Sequence, residues 1–196
     1  MGAVARPRKF DETSVLDAAL DAFWRRGYEA TSTRDLSDRT GIGPSSLYNT
    51  FGDKRQLYLR ALRKYRETGT TEQVALLRRP GPAKERLRAL MVAAIDLDLG
   101  GTDGPVGCFA INAAMETASS DPDVRAEVRR QFAEVEQALR ETVARGQRDG
   151  EIDPTRDAAV LARQVLSTYY GLRVLGRVEA DRDTLLAVVD STLEGL

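Results

Sequence analysis

Apolar residues recur every three or four positions along most of the chain, which predicts an all-helical protein of about nine helices. In residues 11–26 the inner stripe consists of Val15, Leu16, Ala19, Leu20 and Phe23, and Gly27 ends the helix. Similar stripes predict one helix from residue 53 to beyond residue 68, another ending near residue 98, and others over residues 106–118, 121–146, 153–175 and 181–196. No pair of segments has the two-residue period of paired strands.

Residues 31–57 predict two short helices joined by a tight turn, followed by the capped start of a third helix. Ser32 and Asp35 have the spacing of a capping box, in which each side chain accepts a hydrogen bond from the other residue's amide. Residues 41–43, Gly-Ile-Gly, supply a position for positive φ and an apolar plug, and Pro44 suits the first position of the next helix. The pattern is that of a helix-turn-helix.

The second helix of this motif has an outer face of short hydrogen-bonding groups. Leu47 and Phe51 lie four residues apart and face inward. A solvated helix would more usually carry Glu and Lys on its other side, whereas small polar side chains suit a helix that fits closely into a DNA major groove. The residues on or beside this outer face are Ser45, Ser46, Tyr48, Asn49 and Thr50.

The motif resembles the DNA-binding domain of the TetR family of bacterial transcription regulators. The resemblance covers about residues 8–60 and rests on Gly27-Tyr28, residues 31–36, residues 41–43, Leu47-Tyr48, residues 51–54 and Leu57. It implies an N-terminal three-helix helix-turn-helix DNA-binding domain over residues 1–54, with an arm at 1–10, and a C-terminal helical ligand-binding and dimerisation domain over residues 55–196. It also implies a regulator, usually a repressor, that a small-molecule inducer releases from a palindromic operator.

The resemblance assigns roles residue by residue within the motif. It implies that Arg34, Pro44, Ser45, Tyr48 and Asn49 face the groove, that Thr33, Thr50 and Lys54 contact phosphates, and that Tyr48 could serve either role. Ser32 and Ser46 complete the candidate DNA-binding set. The arm, with Arg6, Arg8 and Lys9, is a candidate for minor-groove contact, although Ala5 stands where many relatives have glycine.

The charge distribution agrees with a polyanionic partner for the N-terminal half. Residues 1–80 contain 15 Lys and Arg against 10 Asp and Glu, whereas residues 81–196 contain 14 against 20. A basic half favours DNA because each neutralised phosphate releases counterions. A chance fluctuation would give the same asymmetry, so the charge supports the motif and does not replace it.

Composition argues against most enzymes and against a membrane protein. A chain without histidine and with one cysteine cannot build a Ser-His-Asp triad, a Cys-His pair or a histidine zinc site, and no phosphate-binding glycine loop follows a strand-like segment. We therefore expect no cofactor, no metal and no enzymatic activity. No apolar run approaches about 20 residues and no signal segment is present, which predicts a cytoplasmic protein. The alternatives are a helical ligand-binding or interaction protein with weak or vestigial DNA binding, and a helical enzyme that uses carboxylates.

The last two helices are unusually apolar and are candidates for a homodimer interface. Two helix-turn-helix units that read half-sites about 34–36 Å apart are selective where one unit is not. The resemblance implies that these helices pair with their copies in a four-helix bundle. Part of their surface must also be core. The interface candidates are Leu161, Val165, Leu172, Leu185, Val189 and Leu193.

The resemblance places the inducer site among helices four to eight. The candidate ligand-binding residues are Tyr65, Phe109, Asn112, Met115, Glu116, Tyr169, Tyr170 and Arg173, most of which could equally be core. Asn112 and Glu116 are the better signals because burying a polar group is costly unless it meets a polar partner, although Glu116 could also face solvent. Cys108, at the predicted start of helix six, could be a reactive thiolate or a small buried side chain.

Overall fold

The computed structural model describes residues 10–100 and 104–196. These residues form nine helices and no strand, which confirms the all-helical class. The N-terminal arm with Arg6, Arg8 and Lys9 lies outside the described residues. The helices are α1 (Glu12–Arg26), α2 (Thr33–Thr40), α3 (Pro44–Phe51), α4 (Lys54–Tyr65, continued by Arg66–Thr70 and Thr71–Arg78), α5 (Ala83–Leu99), α6 (Phe109–Glu116), α7 (Pro122–Arg148), α8 (Ala158–Leu175) and α9 (Arg182–Glu194).

The first three helices begin and end where local chemistry predicts. The hydroxyl of Ser32 accepts a hydrogen bond from the Asp35 amide, and the Asp35 carboxylate accepts one from the Ser32 amide, so the capping box is complete. Gly41 ends α2 with φ of 71°, a conformation that glycine adopts without strain. Pro44 occupies the first turn of α3, as expected for a residue without an amide hydrogen.

Two helices begin later than the sequence predicts. Helix α6 begins at Phe109 and not near residue 106, because Gly107 has φ of 68°, which is incompatible with a right-handed helix. Helix α8 begins at Ala158 and not near Asp153. The Asp153 carboxylate accepts hydrogen bonds from the amide and hydroxyl of Thr155 and so forms a local turn, while Asp157 caps the helix.

Helix α4 is continuous over 25 residues, as predicted, but its middle is a π-helical segment over Arg66–Thr70. The apolar periodicity does not predict this segment. A π-helical turn inside an α-helix marks many functional sites because it locally changes the direction of side chains. Thr70, within this segment, is buried and its hydroxyl has no hydrogen-bond partner among the described residues.

Two apolar clusters form the core, and α4 and α7 contribute to both. One cluster contains the buried faces of α1 to α3, the first part of α4, α6 and the start of α7. The other contains α5, the second half of α7, α8 and α9, together with Leu77 of α4. The helix-turn-helix packs on α1 and α4, and α4 in turn packs on α6 and α7, so α4 connects the DNA-binding helices to the rest of the chain.

Candidate nucleic-acid interface and ligand pocket

The outer face of α3 is polar and accessible. Ser45, Ser46 and Asn49 are exposed, as is Pro44, whereas Leu47 and Phe51 of the same helix are buried, so the inward and outward faces lie as predicted. Arg34 of α2 is also exposed, and its nearest carboxylate, that of Asp38, is 3.9 Å away. Its guanidinium is therefore available to an external partner. Thr50 is half-buried at the edge of this face.

Two contacts hold the edges of this face. The Tyr48 hydroxyl lies 2.8 Å from the Thr33 hydroxyl and thereby links α3 to the start of α2. The Lys54 ammonium lies 4.3 Å from the centre of the Tyr28 ring, a cation–π contact at the first residue of α4. The Ser32 hydroxyl is engaged in the capping box and donates to Asp35, so its contribution to α2 is structural.

A cavity of about 480 Å³ lies between α1, α4, α5 and α8. Three of the predicted ligand residues, Tyr65, Tyr169 and Arg173, form part of its wall. Burial raises the pKa of both tyrosines, so their hydroxyls stay protonated. The remaining wall is apolar at Leu20, Trp24, Leu76, Leu90, Ala93, Ala94 and Leu97, and the other lining residues are Asp17, Thr68, Gly69, Glu72 and Gln73.

Residues of α1 and of α4 beyond Tyr65 also line this cavity, and the apolar pattern of the sequence did not predict them. Trp24 packs edge-on against Tyr65 with ring centres 5.0 Å apart. Gln73 contributes a buried side-chain oxygen that has no hydrogen-bond partner among the described residues. Trp24, the single tryptophan of the chain, is the one residue whose type could have indicated the cavity. A Gln or Leu on a helix does not indicate in the sequence whether it faces a cavity.

The buried guanidinium of Arg173 is held by the protein itself. It donates to the carbonyl oxygens of Ala94 and Gly107, and its Nε lies 3.4 Å from the Asp98 carboxylate. Burial raises the pKa of Asp98, and the charge of Arg173 opposes this shift. Arg173 thus fixes the loop before α6 against α5 and α8, and its charge is already compensated.

The other predicted ligand residues lie elsewhere. Asn112, Met115 and Glu116 line a separate cavity of about 360 Å³ between α1, α6 and α8, where Met115 is 83% exposed. Asn112 donates to the Val106 carbonyl and accepts from Arg177. Phe109 packs in a ring cluster with Tyr58 and Tyr65, and Tyr170 packs against Phe132.

Glu116 does not need a ligand to satisfy its charge. Its two carboxylate oxygens accept hydrogen bonds from the amides of Tyr28 and Glu29, 2.9 Å and 2.8 Å away. Glu116 was a candidate ligand residue because burying an unpartnered polar group is costly. In the structure the backbone amides that follow α1 are its partners.

Cys108 immediately precedes α6 and is buried. Its sulfur lies 3.6 Å from the Tyr65 hydroxyl, and Cys108 lines the cavity of about 360 Å³. The thiol thus belongs to the packed core around Tyr65.

The predicted interface residues are core residues, which corrects the sequence analysis. All six are at most 8% exposed within one subunit, namely Leu161, Val165, Leu172, Leu185, Val189 and Leu193. The most apolar stripe of each helix packs against its own subunit, because that is where the larger apolar area is buried. The apolar residues that remain exposed on and after these helices are Val160, Val174, Leu175, Val178 and Val188.

The fold and the polar face of α3 define a helix-turn-helix DNA-binding protein with a helical C-terminal region. Residues 15–61 match the family model of bacterial regulatory proteins of the tetR family, and residues 83–191 match the tetracyclin repressor-like C-terminal domain. The uncharacterized HTH-type transcriptional regulator YezE of Bacillus subtilis is 32% identical, and the alignment covers 98% of this chain and 100% of YezE. The HTH-type transcriptional repressor ComR of Escherichia coli is 31% identical over 96% of this chain and 90% of its own.

A solved structure of the TetR family regulator CifR in complex with 26-bp double-strand operator DNA has the same architecture. The CifR chain is 31% identical in sequence to this chain, and the two superpose with a TM-score of 0.85. The match covers 96% of this chain and 98% of the CifR chain. The chain belongs to the TetR family of bacterial transcription regulators, which is not a family of enzymes. None of the helices in the part of the chain that the structure describes is long and apolar enough to cross a membrane.

Proposed function

We propose that this protein is a homodimeric repressor, located in the cytoplasm, that a small-molecule inducer releases from a palindromic operator. The observation that carries the proposal is the exposed polar face of α3, held by a complete capping box at the start of α2 and an ordered glycine turn. The relatives ComR, a repressor, and CifR, which was solved on operator DNA, support the same function. The alternative, a helical binding protein with vestigial DNA binding, would not require this face to remain polar.

We assign base contacts to the exposed side chains of Arg34, Ser45 and Asn49, and phosphate contacts to Thr50 and Lys54. Pro44 and Ser46 lie beside them, and the Thr33–Tyr48 pair sits at the boundary, where either hydroxyl can donate to a phosphate. We propose that residues 1–54 form the DNA-binding domain and residues 55–196 the ligand-binding and dimerisation domain.

We assign the dimer interface to the exposed faces of α8 and α9 in place of their buried faces. Val160, Val174 and Val188 are apolar and accessible on these two helices. Packing of the two helices against their copies would form an isologous four-helix bundle and remove this apolar surface from water. It would also set the separation of the two α3 helices, which must match half-sites about 34–36 Å apart.

We assign the inducer to the cavity between α1, α4, α5 and α8. Its wall favours a largely apolar, ring-containing ligand that presents one polar group to Gln73, whose oxygen is buried without a partner. Helix α4 runs from Lys54 to this wall, so a ligand that prefers one tilt of α4 changes the spacing of the recognition helices. A tenfold to hundredfold preference supplies about 1.4 to 2.7 kcal/mol of coupling per site.

The test is a mobility shift with DNA from the region upstream of the protein's own coding sequence. The proposal predicts a complex that weakens steeply as salt increases, together with a two-fold symmetric protected site. A chain that binds random DNA equally well, or binds no DNA at all in low salt, would instead support the vestigial alternative.

A further inference from the structure

The C-terminal end of α6 is fastened to the DNA-binding helices. Glu116, the last residue of α6, accepts hydrogen bonds from the amides of Tyr28 and Glu29, which follow the end of α1. A carboxylate at a helix C-terminus is disfavoured by the helix dipole, so this position needs a compensating interaction. The two charge-assisted hydrogen bonds supply this compensation, and the one from Tyr28 connects residues 88 positions apart.

The residue before these amides allows the carboxylate to approach. Gly27 has φ of 84°, and a Cβ added to it would lie only 2.8 Å from one carboxylate oxygen of Glu116. The backbone conformation therefore favours glycine at position 27, and a Cβ there would displace the Glu116 carboxylate. We refer to this contact, in which the Glu116 carboxylate lies against Gly27 and accepts from the Tyr28 and Glu29 amides, as the Glu116 seat.

Tyr28 carries the effect of this seat to the DNA face. Its backbone is held by Glu116, while its ring lies under the Lys54 ammonium, with 4.3 Å from the nitrogen to the ring centre. The Tyr28 ring also packs against the Tyr58 ring, with 4.8 Å between the ring centres, so the Tyr28 side chain is held on both sides. The position of the Lys54 ammonium thus depends on where Glu116 holds Tyr28.

The other end of α6 is fastened to the cavity wall. The Gly107 carbonyl, two residues before α6, accepts hydrogen bonds from the Trp24 indole nitrogen and from Arg173, and both of these residues line the larger cavity. Helix α6 has only eight residues and joins this carbonyl to the Glu116 seat. Helix α6 therefore connects the cavity wall to the Tyr28 amide.

We propose that Glu116 is a positioning residue for operator binding, which holds Tyr28 so that the Lys54 ammonium meets a DNA phosphate. This inference rests on the proposed function, because it concerns a phosphate contact of the operator complex. It assigns Glu116 to DNA binding and removes it from the ligand site.

The test is a double-mutant cycle on operator affinity, measured by fluorescence anisotropy over a series of salt concentrations. We expect Glu116→Ala to weaken binding about threefold to tenfold and to lower the salt slope by about one unit, as Lys54→Ala does. In the Lys54→Ala background, Glu116→Ala should cause no further loss, because the contact through which it acts is already gone. Hydrogen exchange of the Tyr28 and Glu29 amides should accelerate in Glu116→Ala at an unchanged melting temperature.

Glu29→Ala is the matched control. It removes a negative charge from the same surface but keeps both amides and the carboxylate of Glu116, so operator affinity should stay the same or rise slightly. Glu116→Gln keeps the size and one acceptor and should give an intermediate loss.

Two results would overturn the assignment. Additive losses in the double variant would show that Glu116 acts independently of Lys54, and wild-type affinity with an unchanged salt slope in Glu116→Ala would show that the seat is irrelevant to DNA. A wild-type chain that fails to bind its operator would refute the proposed function itself, and this role with it.

Discussion

Replacing Val174 by Glu should separate assembly from folding. Val174 is about half exposed on α8, whereas Leu172, two residues earlier on the same helix, is only 2% exposed. A carboxylate at Val174 remains hydrated in a monomer and meets an apolar surface only in the dimer. A carboxylate at Leu172 is buried in either state, so it should prevent the subunit from folding.

The expected size of the effect at Val174 follows from its exposure. Covering the exposed half of a valine contributes about 1 kcal/mol per subunit, and an unpaired carboxylate in its place adds a desolvation penalty of several kcal/mol. Because twofold symmetry places two such groups in one interface, the dimer should weaken by at least about 4 kcal/mol, or about a thousandfold in Kd.

The assay is sedimentation velocity combined with circular dichroism. Val174→Glu should give folded, helical monomers, and Leu172→Glu should give unfolded or aggregated chains. Leu97→Glu, which places the same charge at an equally accessible leucine of α5, should remain a dimer. Folded monomers from Leu172→Glu, or an unchanged dimer from Val174→Glu, would refute the assignment of core and interface faces.

Three further outcomes are expected. Asn49→Ala should cost about 1 to 3 kcal/mol selectively at one position of each half-site, whereas Lys54→Ala should weaken binding to all sequences alike; a competition assay with point-substituted operators distinguishes these effects. Gln73→Leu should weaken an inducer with a polar group by about tenfold while operator affinity without ligand is kept, as measured by quenching of Trp24, the only tryptophan. The Arg55 guanidinium of α4 donates a hydrogen bond to the Asp121 carboxylate, 2.6 Å away, and lowers its pKa below the ordinary value of 3.8. Asp121 therefore stabilises the fold above that pH and loses this contribution as the pH falls through the lowered pKa, so Asp121→Asn should flatten acid unfolding curves in that range.

Local chemistry made several helix starts predictable. The caps at Asp11, Ser32, Asp53 and Asp121 and the proline at the start of α3 all act within three residues of their own position. Such contacts are present in the sequence itself, and the polar face of α3 follows from the same helical period. The late starts of α6 and α8 arose where a second local interaction, a positive-φ glycine or an Asp turn, competed with the helix.

The assignments that failed or were missed depend on contacts between distant residues. Periodicity identifies the most apolar stripe of α8 and α9 but not whether it faces its own subunit or a partner, so core was mistaken for interface. The partner of Glu116 lies 88 residues earlier in the chain, and no spacing rule connects them. The contribution of Trp24 to the cavity likewise depends on distant residues, because the rest of the wall comes from α4, α5 and α8.

This position of Trp24 shortens the path between ligand and DNA. The coupling proposed above through α4 requires this helix to tilt as a whole to move the recognition helices. Because Leu20 and Trp24 lie in the wall, an inducer bound at the proposed site would also touch α1 directly, and the Trp24 indole donates a hydrogen bond to the Gly107 carbonyl that precedes α6. A ligand that displaces the indole would change both the position of α1 and the hydrogen bond to the carbonyl before α6. Even a tenfold preference for the displaced state would therefore act on α1 and on the Glu116 seat together. Coupling should therefore persist in variants that stiffen α4 and weaken in variants that shorten the Trp24 side chain.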